Sequence, residues 1–244
     1  LVEEDRVDLE MERDSLQESI TTSIEWNQPQ TREGAIVDSY GMMSLVILLT
    51  VIASAGIVAT EFTHGTIKML LSRPVKRWKI LTSKFVAVNL FSAFLMVIGF
   101  LLTVLWAFII FQTSDGQLLS WNGIEIVEVS ILGKSLYILV LSFGSVLITS
   151  TFAFMIGTVF RSSSMAIGLS LFLYFTGTSI VFLLKGFEFT KYLLFTHMDL
   201  TQFETGNKII EEITMPFSLA VLAAYIVVFL AVSYTTFIKR DITA

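Results

Sequence analysis

The sequence contains no cysteine and two histidines, His64 and His197, far apart along the chain. The lack of thiols excludes disulfides and thiolate metal sites, and it removes any cysteine-based sign of redox compartment. Two distant histidines leave little material for a metal centre. Charge is scarce too: 15% of residues are charged against 54% apolar, and the mean hydropathy of +0.76 lies above that of soluble domains. A soluble core could not hide that much apolar surface. Catalytic motifs are missing as well. Gly133-Lys134-Ser135 has the ending of a phosphate-binding loop, but Glu128 stands where the loop needs its first glycine, so the cradle of backbone N–H groups is absent. There is no His-Glu-x-x-His and no Gly-x-Ser-x-Gly elbow, so the chain reads as a non-enzyme. No signal peptide and no internal repeat of about 20 to 50 residues is visible, the latter weighing against inverted-repeat secondary transporters.

What is present is apolar sequence in long blocks. Five spans are predicted, at about 36–59, 85–111, 134–160, 164–184 and 216–238, each long enough to cross a hydrocarbon core of about 30 Å. The expected fold class is all-α, a polytopic transmembrane helical bundle. Residues 1–38 carry eleven acids against three bases, whereas residues 60–84 carry one acid against six bases. By the positive-inside rule, loop 60–84, the turn at Arg161 and the tail with Lys239 and Arg240 belong on the cytoplasmic side, and counting spans puts all three there. The acidic, partly helical segment 1–35 and the loops 112–133 and 186–215 then lie outside. The last of these alternates aromatic and polar residues and ends at Pro216, as an interfacial or re-entrant hairpin would; an ordinary amphipathic loop is the alternative.

The span interiors hold no Asp, Glu, Lys, Arg or His, so a proton or sodium relay lacks its parts. Uphill transport would draw its energy from a partner outside the bilayer. The polar residues inside spans include Asn89, Ser142, Ser145, Thr149, Thr176 and Thr178, read as helix-packing contacts or, alternatively, as a substrate pathway. The run Ser142, Gly144, Ser145, Thr149, Ala153, Gly157 puts small residues near four-residue spacing on one helix, which permits close backbone packing.

The most informative stretch runs from Thr60 to Arg77. Ile67, Leu70 and Leu71 are at helical spacing, Glu61 is expected near a helix start, and Pro74 is expected to stop the helix, giving a short basic amphipathic helix between two spans. Any multispan protein can have such a loop resting on anionic lipid. The particular string Glu-Phe-x-x-Gly-Thr-x-Lys-x-x-Leu-Ser-x-Pro-Val-x-Arg, followed by Lys84 and another span, resembles the cytoplasmic loop of ABC-2-type transporter permeases. The order of spans and loops along nearly the whole chain is similar to theirs.

That resemblance implies a bundle of the ABC-2, type V exporter-like kind in a bacterial plasma membrane. Family members usually have six spans; this chain would match the last five, and its start at Leu1 leads us to expect a preceding segment with the sixth. The resemblance also implies that Glu61, Phe62, Gly65, Thr66 and Lys68, with Leu71, Ser72, Arg73, Pro74 and Arg77, form a coupling helix against a separate cytoplasmic ABC ATPase. ATP and magnesium would be bound there, with no cofactor or metal on this chain. A second permease chain, identical or related, would complete the pathway in membrane lipid, with no nucleic-acid partner. The expected activity is export of an amphipathic peptide, antibiotic or lipid-like molecule. A non-pumping sensor or immunity protein for a peptide, and an ion-coupled secondary transporter, are the alternatives.

Overall fold

A computed structural model describes residues 32–37, 40–67, 69, 75–111, 119–121, 126–128, 130–205, 208–210 and 212–239. The acidic stretch 1–31 therefore lies outside the described residues. Helix α1 (Arg32–Val37) is followed by α2 (Tyr40–Thr63), α3 (Arg77–Ile110), an antiparallel pair β1 (Leu119–Trp121) and β2 (Ile126–Glu128), α4 (Ile131–Val159) and α5 (Ser163–Leu183). A short 3-10 turn (Glu188–Tyr192), α6 (Leu194–His197) and α7 (Gln202–Thr205) lead to α8 (Met215–Lys239). The architecture is helical, with five helices long and apolar enough to span a membrane. They form because apolar blocks of this length satisfy their backbone polar groups internally, as hydrocarbon demands.

Helices α2 and α4 make the centre. Half of the most apolar stretch of α2 and 67% of that of α4 is buried, against 11% for α3, 22% for α5 and 17% for α8. Apolar collapse does not sort helices in lipid, so close packing and interhelical hydrogen bonds do it. At Gly157 of α4 a Cβ would come within 2.2 Å of the Ala55 carbonyl oxygen of α2, so the two backbones touch where the small-residue run ends. Val51, Ala55, Ile148, Phe152 and Ala153 continue this seam. Asn89 of α3 accepts a hydrogen bond from Ser150 Oγ of α4 at 3.0 Å, a bond worth about 0.6–2 kcal/mol between helices in a bilayer.

Two expectations about the basic connection change. Glu61 is not near a helix start: α2 runs on through Thr63, which puts Glu61 in its last turn, where the helix dipole disfavours a carboxylate. Helix α3 begins at Arg77, well before residue 85, so Arg77–Lys84 is helical and the connection shortens to residues 64–76. At 34 residues, about 50 Å, α3 exceeds the bilayer core.

Candidate functional site

Two regions bring functional side chains together, one at each end of the bundle. At the basic end, Lys84 Nζ pairs with Glu61 Oε1 at 2.5 Å and donates to the Ile57 carbonyl at 3.1 Å, offsetting the poor dipole position of Glu61. Both side chains are mostly buried, 15% exposed for Lys84 and 20% for Glu61. Gly65 then ends α2 in the left-handed region, φ 70°, which a side chain would strain. The chain returns to the bundle through Ile67, buried with Val58, Leu81, Phe154 and Phe237, against which Phe62 packs. Thr63 Oγ1 accepts from the Ser163 amide at 2.9 Å, fixing the turn between α4 and α5. Arg77 donates to the Ile238 carbonyl at 3.1 Å, and Thr82 and Tyr234 hydroxyls lie 2.6 Å apart, so α3 is tied to the end of α8.

Of the residues expected at a partner interface, Gly65 and Thr66 are exposed, while Glu61 and Phe62 turn inward to hold the segment. Arg77 sits at the first turn of α3. Lys68, Leu71, Ser72, Arg73 and Pro74 lie outside the described residues. Met69, 76% exposed, joins the accessible surface and was not among the expected site residues.

At the opposite end, the segment 188–205 folds into short helices that dock on α4, α5 and α8. Its centre is His197, fully buried. Nε2 lies 2.8 Å from the Lys191 carbonyl, which can only accept, so Nε2 carries the proton and Nδ1 accepts from Ser218 Oγ at 2.7 Å. Burial holds the imidazole pKa below its usual 6.5, with the Lys191 carbonyl bond opposing. Further bonds close the fold: Gln202 Nε2 donates to the Thr196 and Asp199 carbonyls at 2.9 and 2.7 Å. The Leu200 amide donates to Ser145 Oγ of α4 at 2.9 Å. Phe195 lies over Gly177 of α5, where a Cβ would come within 2.2 Å of the ring.

Beneath this cap is a cavity of about 430 Å³ whose walls include Ser142, Ser145 and Thr149 of α4, Thr178 of α5, and Met43 and Ile47 of α2. Phe195, Met198 and Asp199 of the cap also line it. Four of the six polar span residues singled out in the sequence thus meet at one place. Asn89 packs α3 on α4 instead, and Thr176 is not in the wall. His197 and its partner Ser218 carried no sequence signal, since a histidine in an aromatic loop looks the same whether buried or not. No group of three or more His, Cys, Asp or Glu positioned for a metal exists among the described residues.

Five apolar helices around a buried polar centre define a multi-pass helical membrane protein. The chain belongs to the family described as "Protein of unknown function (DUF2705)", which it matches over residues 21–243. It is 38% identical over 242 residues to "Uncharacterized protein YhcI" of Bacillus subtilis (strain 168), covering 94% of this chain and 77% of that protein. It is 29% identical over 201 residues to "Uncharacterized membrane protein YdbK" of the same organism, covering 81% of this chain and 78% of that one.

Proposed function

We propose that the chain is the membrane-spanning permease subunit of an ABC-2-type ATP-binding cassette transporter. It exports an amphipathic peptide, antibiotic or lipid-like molecule across the plasma membrane, using ATP and magnesium bound by a separate cytoplasmic subunit, and a second permease chain completes the assembly. The observation that carries this reading is the Glu61–Arg77 string, occurring where two spanning helices are clamped by the Glu61–Lys84 pair and the buried Ile67.

A connection tied to the bundle at Glu61, Ile67 and Arg77 can pass the movement of a docked subunit into α2 and α3 as a rigid-body shift. Helix α2 carries that shift to the cavity wall at Met43 and Ile47. Thr63 meets Arg161, and Arg77 meets Ile238, at one end of the bundle, which in this reading faces the cytoplasm.

The test is co-expression and co-purification with a cytoplasmic ABC ATPase encoded in the same genome. Thr66→Trp and Met69→Asp, at exposed positions, are expected to abolish complex formation while leaving the thermal unfolding of the permease unchanged. A complex of undiminished yield with both variants would overturn the docking assignment.

A further inference from the structure

We infer that the cavity beneath the cap binds an amphipathic organic cation, one apolar body carrying an ammonium or guanidinium group. This names the substrate class of the transporter reading, and it rests on that reading in taking the ligand as cargo.

The cavity volume of about 430 Å³ falls in the range of small-molecule sites, roughly 300–1,000 Å³. Most of the remaining wall is neutral: Met43, Ile47, Phe195 and Met198 offer an apolar bed, and hydroxyls line one side. The charge is one-sided, because the exposed Asp199 is an acid and no Lys, Arg or His lines the cavity among the described residues. Asp199 Oδ1 accepts from the Thr201 amide at 2.9 Å and the Thr201 hydroxyl at 2.6 Å. Both donors are neutral, so they orient the carboxylate without cancelling its charge. The ion pairs near the cap use another acid: Lys134 pairs with Glu204 at 3.5 Å.

A second, independent feature is Ser142. It is 1% exposed, and its hydroxyl has no hydrogen-bond partner among the described residues although it stands in the cavity wall. A buried hydroxyl without a partner costs about 1–3 kcal/mol, a cost that a ligand N–H group would relieve. The cavity also has a route to the apolar exterior. An adjoining hollow between α2 and α5 shares Ser44, Tyr174 and Thr178 and is otherwise lined by Leu45, Leu48 and Phe175. Leu45 and Phe175 are exposed on the outer surface, so this hollow opens on the apolar exterior beside the cavity.

The experiment uses the protein alone, without any ATPase, in phosphatidylcholine nanodiscs, with fluorescence anisotropy of the cation rhodamine 6G and the anion fluorescein as probes. Saturable binding of rhodamine 6G, above that of protein-free discs, is expected, with none for fluorescein. Asp199→Asn keeps a carbonyl oxygen for Thr201 and removes only the charge, so binding should weaken about fivefold, the order of a partly screened ion pair. Ser142→Leu fills the cavity and should abolish saturable binding; if it fails to fold, Thr178→Trp at the exposed mouth serves instead. Binding equal to that of empty discs, equal uptake of fluorescein, or affinity unchanged in folded Asp199→Asn and cavity-filling variants would each overturn the site. Loss of ATPase association with rhodamine binding intact would remove the transporter reading and leave the site standing.

Discussion

Gly157 and Gly168 are both glycines in long apolar helices, yet their surroundings differ completely. A Cβ on Gly157 would strike the backbone of Ala55, whereas one on Gly168 meets nothing within 4 Å. Gly157→Val should therefore lower stability by about 1–3 kcal/mol, the usual range for overpacking, and Gly168→Val should be nearly neutral; thermal unfolding in detergent compares them. The run from Ser142 to Gly157 shows how far spacing can be read. Its period puts small residues on one side of α4, but Gly157 and Ala153 touch α2 while Ser142, Ser145 and Thr149 border the cavity. Only the tertiary neighbours of each residue separate those uses. At His197 the fold favours the neutral ring, since burial lowers its pKa from 6.5. Its contribution to stability is thus present above pH 6.5 and is lost as pH falls through the depressed folded value. Protection factors of residues 188–205, corrected for the intrinsic pH dependence of amide exchange, should fall at about pH 5 relative to neutral pH, and His197→Gln should remove that fall.

The connection between α2 and α3 departs most from expectation at its ends, since α2 runs through Thr63 and α3 starts at Arg77. Its string was legible as a basic segment between spans, but Glu61 faces Lys84, a residue in the next helix. Pairing across two helices leaves no periodic trace in either. A double-mutant cycle with Glu61→Gln and Lys84→Met should return a coupling energy of about 1–2 kcal/mol from thermal unfolding, within the range for contacting residues. A coupling near zero would mean that Ile67 alone anchors the segment. The cap of residues 188–205 has the same character: its aromatic and polar alternation suggests an interfacial hairpin, while the buried Thr196, His197 and Gln202 depend on bonds within the cap and to Ser218.

For the whole molecule, the natural absence of cysteine makes topology directly measurable. If the basic end faces the cytoplasm, Thr66→Cys should react with a membrane-impermeant maleimide only after permeabilisation of cells. Phe187→Cys, at an exposed position near the cap, should react in intact cells. The reverse labelling would invert the orientation and remove the docking surface from reach of a cytoplasmic ATPase. Sequence alone determined that five helices form and that their basic ends gather, because both follow from local quantities: about 20 apolar residues span hydrocarbon, and cations concentrate in particular connections. The tertiary structure decided which helices are central, which small residues pack and which line a cavity, and that His197 is buried. Each of those depends on contacts between residues far apart in the chain, such as Ser145 with Leu200 and Glu61 with Lys84, where lipid offers no apolar driving force and steric fit and paired polar groups choose the arrangement.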